Sequence, residues 1–231
     1  MKNFKKLLFL IFSTIQISVY AQSPKSILQQ VVLNFYKVKD YSADIAIKFD
    51  IPGLKIEQAK GKVFYKQPDK FKVKSQGIIF LPKQNPFYFI NKLRDTTAYE
   101  CIGSAKEIVR TFSCHVINVV PTADLDFVLA KFWIDEKSKL ILRSQITTKA
   151  NGTVIIDNVY QSESTLPINT TFTIDVAKFK IPKAVAVDIN SKSSEKKVGD
   201  RTKGFIVMSF ANYKVNQNLN DAIFTDETVK K

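Results

Sequence analysis

The chain has 231 residues, of which 35 are basic and 21 acidic, and its formal net charge is +14 at pH 7. Its seven glycines leave little room for a glycine-rich phosphate loop, and two cysteines with one histidine do not supply the usual ligands of a metal site. We therefore expect no metal, no cofactor and no phosphate-loop enzyme.

The N-terminus has the anatomy of a secretory signal peptide. A cationic start at residues 1–6 and an apolar run at residues 7–12 precede Val19 and Ala21, which fit the small-residue positions before a cut. We predict cleavage near Ala21, export, and a single mature domain of residues 22–231. An uncleaved anchor is the weaker alternative, because polar residues from Ser13 onward interrupt the run short of the ~20 apolar residues of a spanning helix.

The excess of lysine suggests nucleic acid as a partner, but the spacing of the lysines along the chain argues against it. Removing residues 1–21 takes away three lysines and no acids, so the charge falls only from +14 to +11. The other lysines alternate along strand-like segments instead of clustering on one helix. This pattern predicts a solvated outer sheet face that also favours anionic membrane surfaces, and no nucleic acid. The residues concerned are Lys60, Lys62, Lys66, Lys70, Lys72 and Lys74.

The first predicted element is a helix. Ser23 is a suitable N-cap, Pro24 takes the first helical position, and apolar residues recur at helical spacing from Ile27 through Val31 and Phe35 to Val38.

From Tyr41 onward the apolar period changes to two, which is typical of strands. Such segments occupy residues 41–49, 70–74, 140–143, 154–160, 168–174 and 205–213, and Asn151-Gly152 predicts a tight hairpin before the fourth. Their number and spacing predict one large antiparallel sheet, hence a mainly β protein with some helix. Residues 178–203 are polar and poorly periodic, and we interpret them as a long loop with a short strand at 184–189.

Two cysteines, Cys101 and Cys114, flank a segment from Gly103 to Glu107 that we place near the turn of a hairpin. In an oxidising compartment such a pair can form a disulfide, which would stabilise the fold by about 3 kcal/mol on the chain-entropy model. Two buried reduced thiols are the alternative.

A large antiparallel sheet curls as it twists, and its concave apolar face needs a cover. The 18 phenylalanines, many at inward positions, are consistent with an apolar cavity that a single helix does not fill. An ordinary filled core explains the same pattern. Both interpretations stay open at this point.

Several segments together resemble a known family. After the helix come Val38–Asp44 and Gly61–Phe71, then Trp133–Asp135, Leu166-Pro167 and Asn212–Asn216. Their order over nearly the whole mature chain resembles the periplasmic lipoprotein carriers of the LolA type and the related outer-membrane lipoprotein-sorting proteins.

The resemblance implies an incomplete β-barrel, that is, a strongly curved antiparallel sheet lidded by an N-terminal helix and loops. It also implies a soluble, monomeric, non-enzymatic protein of the periplasm. The cavity would hold the acyl chains of a lipoprotein or other lipid, received from an inner-membrane donor complex and delivered to an outer-membrane acceptor.

Within this family the position before the proline that matches Pro68 is an arginine, which joins the lid to the sheet. Here it is Gln67, whose amide could still hydrogen-bond carbonyl groups of the lid. As residues that line the cavity we name apolar side chains at inward strand positions and nearby segments: Ile45, Ile47, Phe49, Phe64, Phe71, Val73, Phe80, Phe89, Trp133, Leu142, Ile156 and Phe172.

The sequence offers little for catalysis. His115 directly follows Cys114, and neighbours on a strand point to opposite faces, so they cannot form a nucleophile–base pair. Two alternatives to a carrier remain: an envelope-stress sensor or regulatory binding protein of the same fold, and an interaction protein whose core is simply filled.

Overall fold

The computed structural model describes residues 22–52, 56–75, 86–149, 152–162, 164–176 and 202–225. Within these ranges the helices are α1 (Pro24–Tyr36) and α2 (Pro86–Lys92), and a 3-10 turn spans Asp221–Ile223. The strands are β1 (Asp40–Asp50), β2 (Ala59–Lys66), β3 (Lys70–Ser75), β4 (Tyr99–Val109), β5 (Phe112–Pro121), β6 (Phe127–Asp135), β7 (Ile141–Thr148), β8 (Gly152–Tyr160), β9 (Pro167–Asp175) and β10 (Lys203–Val215). No helix in these ranges has the length and hydropathy needed to cross a bilayer.

Some predicted features fall outside the described residues. These are the signal peptide at residues 1–21, the cavity candidate Phe80 and the short strand at 184–189. Of the predicted loop at 178–203, only residues 202 and 203 are described, and Lys203 already begins β10.

Helix α1 begins and packs as its sequence predicts. The Ser23 hydroxyl accepts a hydrogen bond from the backbone N–H of Ser26 at 3.1 Å, and Pro24 follows at the first helical position. One face of the helix is buried and consists of Ile27, Leu28, Val31, Val32 and Phe35.

The ten strands form one antiparallel sheet in the order β3-β2-β1-β10-β9-β8-β7-β6-β5-β4. Strands β3 and β4 are its two edges and do not pair with each other, so the sheet does not close into a barrel. This confirms the predicted fold class.

The contacts of α1 show how strongly the sheet curls. Its N-terminal end lies against the β4 edge, where Lys25 sits 5.7 Å from the ring centre of Tyr99. Its C-terminal end is hydrogen-bonded to Gln67, directly after β2. In a flat sheet β2 and β4 would lie about 38 Å apart, whereas a helix of 13 residues is about 20 Å long. The sheet therefore wraps around the helix.

The inner face of the sheet carries one continuous apolar core. Alternate residues of β1, such as Ile45 and Ile47, are buried there with Val63 of β2 and Phe172 of β9. Near the β3 edge, a Cβ at Gly61 would collide with the carbonyl oxygen of Lys74. The backbone of β3 thus approaches β2 so closely that only glycine fits.

A bulge changes the alternation of inward and outward residues near the end of β10. Asn212 has a φ of 54°, and the register of β10 against β1 shifts between Ser42 and Asp44. Phe210 and Tyr213 consequently share one face, with ring centres 6.0 Å apart.

A second, smaller cluster consists of Val109, Cys114, Val116, Trp133 and Leu142. Val116 and Trp133 are register partners, and their chain neighbours Ile117 and Phe132 belong to the inner core, so this cluster lies on the outer face. The register between β6 and β7 shifts where Leu142 falls, which leaves that residue unpaired in the ladder.

The disulfide prediction is wrong, because both cysteines are free. Cys101 pairs with Val119 on β5, five residues from Cys114, which corresponds to about 16 Å along the strand. Cys101 packs against the inner core and Cys114 belongs to the outer cluster. The hairpin does exist, but it turns at residues 110–111 instead of near 103–107, because residues 103–107 continue β4.

Candidate functional site

A pocket of about 50 Å³ lies between α1, α2 and the inner face of β6, β7 and β8. Lys139 and Leu140 of the β6–β7 turn and Leu166 of the β8–β9 turn form one end of it. The rest of its wall is mainly apolar and comprises Val31, Asn34, Phe35, Phe89, Ile90, Phe132, Ile141, Ser144, Ile146, Ile156, Asn158, Tyr160, Thr165 and Pro167.

The polar groups deep in this wall hydrogen-bond mostly to each other. Asn158 donates to the carbonyl oxygen of Ile141 at 3.1 Å and accepts from the Thr170 hydroxyl at 2.9 Å. The Tyr160 hydroxyl also donates to the Ile141 carbonyl, at 3.1 Å, and burial raises the pKa of Tyr160. Because these groups satisfy one another, the wall presents a largely apolar surface to a ligand.

The size of the pocket limits what it can hold in this conformation. A volume of about 50 Å³ accepts about four water-sized groups, far fewer than the methylenes of a lipid acyl chain. Binding such a chain therefore requires α1 or α2 to move away from the sheet.

Hydrogen bonds from the turn between β2 and β3 hold the C-terminal end of α1. The side-chain amide of Gln67 donates to the carbonyl oxygens of Tyr36 at 2.9 Å and Val38 at 2.7 Å, at the C-terminal end of α1. The backbone N–H of Gln67 donates to the Lys39 carbonyl at 2.8 Å. We call this set of contacts the Gln67 junction.

Helix α2 is joined to the same turn through Asn91. Its side chain accepts from the Tyr36 hydroxyl at 2.9 Å and donates to the carbonyl oxygen of Pro68. One turn of the sheet thus positions both helices that cover the pocket.

The structure distributes the predicted cavity residues among several environments. Phe89 and Ile156 line the pocket. Ile45, Ile47, Phe49 and Phe172 belong to the inner core, and Phe71 and Val73 pack against it. Phe64 is half-buried at the opposite parity from Val63 and Tyr65, so it lies on the outer face.

Trp133 and Leu142 belong to the outer cluster, on the side of the sheet away from the pocket. The indole N–H of Trp133 donates to the Glu107 carboxylate at 2.8 Å, and Lys131 lies 4.5 Å from the Trp133 ring centre. These polar contacts hold the indole on the outer surface.

Several residues of the pocket were missed because no strand pattern contains them. Ile90 belongs to α2, a helix too short for its periodicity to be recognised, and Lys139 and Thr165 lie in turns. Leu140 was part of the predicted strand 140–143, but β7 begins at Ile141, so Leu140 lies in the turn before it. The sequence feature that could have predicted α2 is Pro86 followed by apolar residues, a combination typical of the start of a helix.

Metal-ligating side chains do not cluster in the described residues. No group of three or more His, Cys, Asp or Glu among them could hold a metal ion. His115 lies 3.8 Å from the Glu136 carboxylate, while Cys114 points into the outer cluster. Burial, helped by the charge of Lys139, lowers the pKa of His115.

Solved structures with the same architecture exist. A domain assigned to the outer-membrane lipoprotein-sorting proteins, from Vibrio parahaemolyticus, superposes with a TM-score of 0.58 at 8% identity, over 87% of this chain and 95% of its own. A LolA superfamily protein from Nitrosomonas europaea gives 0.56 at 12% identity, over 89% and 99%. A DUF1329 family protein from Desulfovibrio piger gives 0.57 at 13% identity, over 88% and 98%.

At these identities the likeness shows the fold, and it confirms at that level the resemblance read from the sequence. Neither a protein-family model nor a curated protein sequence matches this chain.

Proposed function

We propose that this protein is a periplasmic carrier that binds the acyl chains of lipoproteins or other lipids between its helices and the inner face of its sheet. The observation that carries the proposal is an apolar pocket under two helices that one turn of the sheet, at Gln67 and Pro68, holds in place. The LolA-like fold, which is a carrier or binding fold, supports the same conclusion.

The free energy of burying the apolar side chains of α1 is similar to that of burying an acyl chain, so a ligand can replace the helix against the sheet. Exposing the five buried side chains of α1 would cost about 8–15 kcal/mol, at about 1.5–3 kcal/mol each. Burying an acyl chain of about 16 methylenes contributes about 13 kcal/mol, at about 0.8 kcal/mol per methylene. Since the two terms are similar, a bound chain can replace the packing of α1, and the helix can displace the chain again on delivery.

In this proposal the protein is exported, its cargo comes from an inner-membrane donor complex, and an outer-membrane acceptor removes it. A carrier that must release its ligand benefits from a cover whose polar attachment to the sheet is limited to a few hydrogen bonds, as at the Gln67 junction. The protein acts without catalysis in this role.

The test is native mass spectrometry of the protein purified from an exporting bacterial host, together with titration of pyrene-labelled hexadecanoate. We expect bound acyl species or uptake of the probe. The substitution Ile156→Phe fills the pocket and should reduce uptake. Leu142→Phe makes a similar change in a similarly buried residue on the outer face, so it should leave uptake unchanged.

A different outcome would favour an interaction protein with a filled core, an alternative that the small volume of the pocket supports. That outcome is a ligand-free mass with no uptake of the probe, both in the original protein and in a variant whose Gln67 junction has been removed.

A further inference from the structure

The outer face of β1, β2 and β3 carries a regular array of lysines. Inward positions of these strands, such as Ile47, Val63 and Val73, pack in or against the core, so the alternate positions point outward. Those outward positions include Lys48 of β1, Lys60, Lys62 and Lys66 of β2, and Lys70, Lys72 and Lys74 of β3. We call this surface the lysine face.

Pairing across the strands places like charges directly opposite each other. Lys62 is the register partner of Lys74, and Lys66 is the partner of Lys70. Such partners have Cβ atoms about 4.5–5.5 Å apart, and like charges at that separation destabilise a sheet.

The protein relieves one of these repulsions internally. Asp221, in the 3-10 turn near the C-terminus, accepts from Lys66 and from Lys70, each at 2.7 Å. Lys72 donates to the carbonyl oxygen of Thr225 at 2.7 Å. The C-terminal segment of the chain therefore contacts this half of the lysine face and offsets part of its charge.

In the other half of the lysine face, which contains Lys60, Lys62 and Lys74, nearby acidic groups offset the repulsion between the lysines much less. Lys62 lies 3.7 Å from the carboxylate of Asp44, which is itself half exposed and also accepts from Asn212. Lys60 and Lys74 are exposed, and Asp50 is the other acidic residue at an outward position of β1. An excess of cations remains here, on neighbouring strands whose register holds the lysines side by side.

Protection of the sheet edge explains only part of this array. Lysines on an edge strand such as β3 discourage pairing with other chains. Strand β2 is paired on both sides, with β1 and β3, so its lysines serve no such purpose.

We propose that the lysine face docks the protein on the surface of a bilayer that contains anionic phospholipids. The surface potential of such a bilayer attracts cations placed near it, and lysines at outward positions of three adjacent strands point to the same side of the sheet and can approach such a surface together. The proposal is independent of the acyl-chain pocket, which lies on the inner side of the sheet.

The experiment is sedimentation of the complete exported protein with vesicles made of equal parts phosphatidylcholine and phosphatidylglycerol, at low and high salt. We expect binding at low salt, loss of binding on raising the salt, and no binding to pure phosphatidylcholine. The triple variant Lys60→Gln, Lys62→Gln, Lys74→Gln should lower the partition coefficient roughly 100-fold.

The matched control removes the same charge elsewhere, through Lys37→Gln, Lys137→Gln and Lys149→Gln, all at exposed positions. It should keep most of the binding, and thermal unfolding should show that both triple variants remain folded. The proposal is overturned if the original protein ignores the anionic vesicles, if both triple variants lose binding equally, or if a DNA duplex binds at a salt concentration where the vesicles do not.

Discussion

The Nε2 atom of Gln67 lies 2.7 Å from the carbonyl oxygen of Val38. This contact joins the turn after β2 to the first residues beyond α1, and the same amide also reaches the Tyr36 carbonyl. A neutral amide thus occupies the position for which the resemblance to LolA-type proteins implies an arginine. It hydrogen-bonds the carbonyl group of Tyr36 at the end of α1, where helix carbonyls lack partners within the helix, and that of Val38 just beyond it.

Removing this amide should loosen the cover of the pocket. Gln67→Ala deletes two hydrogen bonds of about 0.5–1.5 kcal/mol each, so we expect unfolding in urea to show a loss of about 1–3 kcal/mol. If the pocket binds acyl chains, the pyrene-labelled probe should also enter faster. Lys37→Ala, at an exposed position nearby, is the control; equal stability of the two variants would contradict a role for the junction.

The two thiols should be free and unreactive in the native protein. Burial raises the pKa of Cys101 to about 11 and also raises the pKa of Cys114, so both stay protonated at neutral pH. We expect slow alkylation of the native protein at pH 8 and rapid alkylation of both cysteines in urea without reductant. A need for prior reduction would show instead that a disulfide forms.

The C-terminal segment should detach only in strong acid. Hydrogen bonds from Lys66 and Lys70 lower the pKa of Asp221 to about 2. Because the folded-state pKa lies below the ordinary value of 3.8, this stabilisation is complete above about pH 4 and is lost as the pH falls through about 2.

An NMR titration of the Asp221 carboxyl carbon measures this directly, and Asp221→Asn should abolish the transition and expose the segment to proteases at neutral pH. A midpoint near the ordinary aspartate value would mean that the two ion pairs do not persist in solution.

Close packing at Gly61 makes a stability prediction. A methyl group there collides with the backbone of β3, which cannot yield without shifting the edge strand, so Gly61→Ala should destabilise the protein by about 1–3 kcal/mol. At Gly204 an added Cβ would meet side-chain atoms at 3.2–3.3 Å, which can adjust. Gly204→Ala should therefore cost less, and the reverse order in chemical denaturation would refute this account.

The sequence alone determined the elements whose signals are local. Ser23 and Pro24 define the start of α1, and the apolar periods of three to four and of two distinguish that helix from β1, β3, β8, β9 and β10. Gly152, with a φ of 69°, begins β8 after the predicted hairpin turn. The predicted sheet follows from these patterns because each strand buries one face.

Only the tertiary structure decided which face each side chain occupies and which residues meet at the pocket. The bulges near Leu142 and Asn212 change the alternation within a strand, and the true turn at residues 110–111 places Cys101 and Cys114 on opposite faces. Pairing register, bulges and the convergence of turns with two helices depend on partners distant in the chain, whereas the periodicity of a strand reports only its own burial.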